Sequence, residues 1–251
     1  MDLTSTVLLV AAGLTAGAVN ALAGGGSLIT YPALLGTGLP PVSANVTNSL
    51  SVFPGYVAAA FGSRADLSGQ RRRTLTLFPT AILGALGGTA LLLFTPAAAF
   101  EAIVPFLVIM AALLLALQKR IRTLVGQPHD MSSRRRTVLL HVLTGVGSLY
   151  GGYFGAALGV MLVAGLALVL PDSLARVSAV KNALSAVVGL VTVLVYGLIA
   201  PVVWTAVLVL APATVVGGFL GSKLARRLPQ NVLRAFIVCY GLGVGVYLLF
   251  D

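Results

Sequence analysis

The chain has 251 residues, 58% of them hydrophobic and only 9% charged, where soluble domains carry roughly a quarter charged residues. Its net charge of +10 would suit a nucleic-acid partner, but all but a few basic residues lie in three short hydrophilic segments, 63–73, 118–136 and 222–227, between long apolar runs. That layout belongs to membrane loops rather than to a nucleic-acid surface. It leaves no room for a sizeable soluble domain, and the single cysteine, Cys239, excludes an intrachain disulfide. An all-α polytopic membrane protein is predicted, with the lipid bilayer as a partner and no nucleic acid.

About 20 apolar residues cross a bilayer as a helix. The first apolar segment, 5–36, would make a single helix of about 48 Å at 1.5 Å per residue, too long for a core of about 30 Å. It therefore has to bend back, either as two short crossings or as a re-entrant hairpin. The sequence "AGGGS" at 23–27 supplies the break, and Pro32 interrupts the helix again. Spans over 43–62, 74–95 and 99–118 follow, with the basic loop 63–73 between the first two. A second long segment, 137–170, needs a bend of its own, which Gly155 and Gly159 mark, and spans over 174–198, 201–222 and 231–250 complete the chain. The expected organisation is a first transmembrane repeat at 1–118, a cytoplasmic basic linker at 119–136 and a second repeat at 137–251. Each half has five helical elements, ten in all. The N-terminal "MDLTST" lacks the basic start of a secretory signal, so the first segment is expected to be retained.

A shift of 134 residues lays Gly17 on Gly151, Gly25 on Gly159, and "TNSLSVFPG" (47–55) on "KNALSAVVG" (181–189). Basic loop 63–73 then falls on the uncharged 197–207, and basic loop 222–227 on the uncharged 88–93. Basic loops stay cytoplasmic, so equivalent loops lie on opposite sides of the membrane. The expectation is an inverted repeat of two five-element halves, the leading segment of each half broken or re-entrant, an architecture common among secondary transporters. Both termini are expected outside the inner cell membrane.

The motif "AGAVNALAGGGSLITYPALLGTGLPPVSANVTNSL", with "GYFGAALGVML" and "AVKNALSAVVG" in the second half, resembles the TauE/SafE sulfite-exporter family over essentially the whole chain. The resemblance implies transport of small sulfur-containing anions such as sulfite or organosulfonates, without fixing substrate or direction. An importer and a channel-like permease on the same fold are alternatives. A membrane-embedded enzyme or assembly factor lacks support, because the chain has no paired carboxylates, metal-ligand cluster or Ser/His/Asp set within the membrane. No cofactor or metal is implied.

For the substrate site, Ser178, Lys181, Asn182 and Ser185 fall at i, i+3, i+4 and i+7, one face of a helix. Ala44, Thr47, Asn48 and Ser51 are their counterparts in the first half. Small polar residues often only hold membrane helices together, but a lysine within a span is a functional-site hypothesis, with snorkelling to the interface as its rival. Amides freed at Gly24, Gly25, Gly26 and Ser27 could cradle oxyanion oxygens, aided by the positive end of a half-helix. Asn20, Asn45, Tyr150 and Tyr153 are further candidates. All six acidic residues map to loops or termini, so a carboxylate proton relay is not expected. Export driven by the membrane potential alone is the simplest mechanism. The sequence carries no signal of oligomeric state.

Overall fold

A computed structural model describes residues 2–22, 25–124, 132–224 and 230–250. Among them are ten α-helices and no strand: α1 (Leu3–Leu22), α2 (Ser27–Gly36), α3 (Pro41–Gly62), α4 (Arg71–Phe94), α5 (Ala97–Leu124), α6 (Ser133–Tyr153), α7 (Leu158–Ala167), α8 (Leu174–Ile199), α9 (Trp204–Leu224) and α10 (Gln230–Phe250). A 3₁₀ turn, Arg64–Leu67, joins α3 to α4. Both leading segments are broken, and the second helix of each half has only 10 residues. Ten residues rise about 15 Å, half a bilayer core. Helix α5 runs on past position 118 into the basic segment, of which 125–131 lie outside the described residues, and it takes in Glu101, expected in a loop or terminus, as an exposed residue near its start.

Burial is inverted relative to a soluble domain. Leu83, Phe94, Leu198 and Phe250 are more than two-thirds exposed, whereas Thr30, Asn45, Thr47, Asn48 and Ser51 are buried. Such an apolar exterior needs lipid around it. Helices α1, α4, α5 and α8 each contain an apolar stretch long enough to cross a membrane. This is a multi-pass membrane protein.

Without a hydrophobic force between helices in lipid, small residues govern close packing. Helix α1 packs on α9, and α4 on α6, backbone to backbone. A Cβ at Gly17 would run into the Thr214 carbonyl oxygen, and one at Gly217 into that of Leu14. Likewise a Cβ at Gly88 would strike the Leu149 carbonyl oxygen, and one at Gly152 that of Ala85. Helix α5 packs on α10, where a Cβ at Gly241 would stand 3.1 Å from Ala112 Cβ. Helix α3 packs on α8, with Phe53 and Tyr56 over Gly189. Contact α3–α9 is matched by α4–α8. Every one of these partnerships maps onto itself or onto another when the two halves are exchanged.

The second break occupies residues 154–157, where Gly155 has φ 76° and Ala157 has φ 59°. Gly159, expected to mark this turn, is instead buried inside α7. The break lies three residues before the position that the 134-residue shift assigns, because the loop 168–173 is two residues longer than the loop 37–40 and α8 begins one residue earlier than the shift places it. Left-handed backbone costs a non-glycine residue roughly 1–2 kcal/mol. Ala157→Gly is therefore expected to raise Tm by about 2–4 °C for each kcal/mol of strain removed. An unchanged or lower Tm would mean that packing of the buried methyl group offsets that strain.

At the end of the molecule carrying loop 63–73, Asp172 accepts from Arg73 Nη2 at 2.7 Å and from Arg176 Nε at 3.1 Å. Arg176 Nη1 donates to the Ser68 carbonyl at 3.0 Å, and Gln70 Nε2 to those of Asp66 and Arg176. These bonds tie the loop before α8 to the start of α4. Partial burial works to raise the Asp172 pKa, but the hydrogen bonds and charges of Arg73 and Arg176 outweigh it and hold the carboxyl below its ordinary value. A lowered native pKa means that the unfolded chain binds more protons, so this stabilisation is present above about pH 4 and is lost as pH falls further. Asp172→Asn is expected to lower Tm by about 2–4 °C at neutral pH, since half-exposed pairs contribute about 1 kcal/mol or less. The gap from wild type should close below pH 4. A gap that persists in acid would show that these ion pairs are not its source.

Candidate functional site

Both half-helices begin at one hollow. It is narrow, with room for about one water molecule, and is lined by Ser27 of α2, Asn48, Ser49, Val52 and Tyr56 of α3, Gly151 and Gly155 around the end of α6, Leu158 of α7, and Val188, Gly189 and Thr192 of α8. Ser27 and Leu158 are the first residues of α2 and α7. Two helix N-termini therefore border it, each with partial positive charge. No lining residue is acidic or basic. The polar groups are Ser27, Asn48, Ser49, Tyr56 and Thr192, with Thr192 Oγ1 donating to the Gly189 carbonyl at 2.8 Å. The Thr30 hydroxyl donates to Asn48 Oδ1 and Ser49 Oγ donates to the Asn45 carbonyl. With its oxygen engaged, Asn48 has its Nδ2 amide as the group left to offer.

The second break is pinned from several directions. Tyr150 Oη donates to the Ala156 carbonyl at 2.7 Å, Tyr196 Oη to that of Gly152, and Asn45 Nδ2 to that of Tyr153 at 2.9 Å. A broken helix frees backbone groups that lipid cannot satisfy, and these side chains satisfy them. Edge-on rings wrap the same turn, with Tyr31 and Phe154 centroids 5.2 Å apart and Phe100 and Tyr153 5.7 Å apart.

Of the residues nominated from sequence, Asn48 and Ser27 line the hollow. Gly25 and Gly26 give their amide hydrogens to Asn20 Oδ1, at 3.0 and 2.8 Å. The Asn20 carboxamide thus occupies part of the expected glycine cradle, and Gly24 lies outside the described residues. Asn45 is buried, with Oδ1 lacking a partner among the described residues. Thr47 and Ser51 do not line the hollow: Thr47 Oγ1 accepts from the amide of Val203, just before α9, at 3.0 Å, and Ser51 Oγ donates to the Thr47 carbonyl at 2.7 Å while its own carbonyl accepts from Thr214 Oγ1 at 3.1 Å. On α8, Asn182 Nδ2 donates to the Ala59 carbonyl at 3.3 Å and to Ser63 Oγ at 3.0 Å, at the far end of α3 from Asn48. Lys181 and Ser178 are half-buried at that same end and do not line the hollow. Ser185 Oγ is buried without a hydrogen-bond partner among the described residues.

Sequence reasoning missed Tyr56, Ser49 and Thr192. It searched for positions polar in both halves, and the counterparts of these three at the 134-residue shift are Leu190, Ala183 and Ala58. A signal was available: Asn45, Ser49, Val52 and Tyr56 fall at i, i+4, i+7 and i+11, a single helix face.

Comparison with known proteins gives a match to the family model described as sulfite exporter TauE/SafE over residues 9–248. Similar proteins include the probable membrane transporter protein YfcA of Escherichia coli K12, 27% identical over 94% of this chain and 86% of its own. A probable membrane transporter protein of Haemophilus influenzae is 24% identical over 97% of this chain and 94% of its own. The probable membrane transporter protein ORF9 of Sinorhizobium sp is 27% identical over 97% and 92% respectively. No solved structure gives a significant match.

Proposed function

The chain belongs to the sulfite exporter TauE/SafE family, hence to the membrane transporters rather than the enzymes, and from that premise we propose that it carries small sulfur-containing oxyanions, such as sulfite or organosulfonates, through the hollow between α2, α3, α6, α7 and α8. The observation carrying this reading is the convergence of two half-helix N-termini on one space lined with neutral hydrogen-bonding groups. Fixed dipoles attract an anion without the permanent charge that would hold it too tightly to leave. Asn48 Nδ2 and the Ser27 and Tyr56 hydroxyls can donate to its oxygens, while the Thr192 hydroxyl is spent on the Gly189 carbonyl at 2.8 Å.

Two inverted halves are part of the reading. Supporting it are the matching order of helices, the broken second element in each half, and the exchange of packing partners between halves. Alternating access then follows from rocking one half against the other around the hollow. The 63–73 and 118–136 loops lie in the cytoplasm and both termini outside, in the inner membrane. Lys181, half-buried on α8 two turns from its cytoplasmic start, draws the anion from that side toward the hollow, with Ser178 beside it.

Export needs no coupling ion. The interior-negative potential contributes about 2.3 kcal/mol per charge per 100 mV, more than a tenfold outward bias for a monoanion. In proteoliposomes, sulfite flux should follow the sign of an imposed potential, saturate with concentration and show counterflow. Flux that ignores the potential, or that rises linearly without counterflow, would favour a coupled importer or a channel respectively. Lys181→Ala should lower flux by about 10- to 100-fold, the value of one charge-assisted hydrogen bond. Wild-type flux in that variant would remove Lys181 from the path.

A further inference from the structure

Arginines open two helices where the helix dipole disfavours them. Helix α4 begins Arg71-Arg72-Arg73, and α6 carries Arg134-Arg135-Arg136 directly after Ser133, with no acidic residue in either first turn. Cations at a helix N-terminus are repelled by its partial positive charge. Arg73 is paired with Asp172. Arg71, Arg72, Arg134 and Arg135 are exposed, and their side chains make no ion pair or hydrogen bond among the described residues. Asp66 on the 3₁₀ turn is the other acidic side chain on the flanking described elements.

Helices α4 and α6 run side by side in the same direction. Gly84 meets Gly145 and Ser148, Gly88 meets Leu149 and Gly152, and Leu77 shares a core cluster with Leu140. This register brings the turn at 71–72 level with 134–135. Each arginine pair also heads an exposed apolar stripe: Leu75, Ile82 and Leu86 below Arg72, and Val138, Val142 and Leu149 below Arg135. The stripes meet at a shallow glycine seam, where a Cβ at Gly145 would lie 3.5 Å from Thr80 Cγ2 and one at Gly87 would lie 3.9 Å from Leu149 Cδ1.

We propose that this face is a binding site for an anionic phospholipid, its phosphate diester held by Arg71, Arg72, Arg134 and Arg135 and an acyl chain lying along the α4–α6 seam. Planar guanidinium groups receive phosphate oxygens in pairs, and a bound phosphate offsets the repulsion that four arginines and two helix N-termini exert on one another. The apolar seam fits a lipid and gives nothing to free phosphate. The hollow and the transported ion play no part in this site, so it stands apart from the transport reading.

The test is native mass spectrometry of the delipidated full-length protein offered equimolar phosphatidylglycerol and phosphatidylcholine. Wild type should retain the anionic lipid about tenfold over the zwitterionic one. The quadruple variant Arg71→Gln/Arg72→Gln/Arg134→Gln/Arg135→Gln should lose that preference with unchanged helical circular dichroism. If it fails to fold, the double variant Arg134→Gln/Arg135→Gln, which leaves α4 and its Arg73–Asp172 pair unaltered, should lose most of it. Removing as many charges elsewhere (Lys119→Gln, Arg122→Gln, Arg226→Gln, Arg227→Gln) should leave it intact. An equal loss in that control, a preference that survives the arginine variants, or displacement of the lipid by inorganic phosphate at matched concentration would each overturn the site.

Discussion

Asn48→Asp is expected to abolish anion flux while leaving the protein folded. Asn48 lines the hollow on α3, its oxygen already receives the Thr30 hydroxyl, and its amide is the donor left to face the space. Aspartate keeps the shape and the bond from Thr30 but replaces that donor by negative charge. Two like charges 4 Å apart at an effective dielectric constant of 20 repel by about 4 kcal/mol, close to three decades in affinity. Asn48→Ala, which removes only the donor, should lose about 10- to 100-fold. The informative pattern is the order wild type, alanine, aspartate in saturable sulfite flux, with detergent-solubilised Tm measured alongside. If aspartate transports as well as alanine, no anion approaches Asn48 and the hollow is not the substrate site.

Gly88→Ala should be among the most damaging small substitutions at the helix contacts, alongside those at Gly17 and Gly217. Its Cβ would collide with the Leu149 carbonyl oxygen and approach the Tyr153 amide nitrogen at 2.8 Å. Both are backbone atoms, so no rotamer change relieves the clash, and α4 must separate from α6 along the interface that supports the second break. Overpacking a core by even one methyl group costs about 1–3 kcal/mol, and rigid backbone on both sides puts this site at or above the top of that range. A Tm fall of about 6 °C or more is expected, at 2–4 °C per kcal/mol. Gly55→Ala is the matched control. It lies in α3 with nothing within 4 Å of its would-be Cβ, so alanine should leave Tm unchanged or raise it through helix propensity alone. Equal effects at the two positions would mean that α4 and α6 do not touch as described.

The helix inventory was legible in the sequence because bilayer thickness and the need to satisfy backbone groups act on local composition. The apolar segments of about 32 residues at each half's start had to break, and both do, the first between α1 and α2 and the second at 154–157. Of the two glycines expected at the second break, Gly155 lies in it and Gly159 falls inside α7, since a fixed shift cannot see that one loop is longer than the other. What the tertiary structure alone decided is which polar groups share a space. These helices are apolar on nearly every side, so periodicity says little about how each is rotated, and rotation keeps Thr47 and Ser51 out of the hollow while Asn48 and Tyr56 line it. Likewise Asn20 takes the glycine amides, and Asn182 is drawn to the far end of α3. The hollow gathers Ser27, Tyr56, Gly155 and Thr192 from four separate segments, a meeting set by glycine contacts between helices distant in the chain.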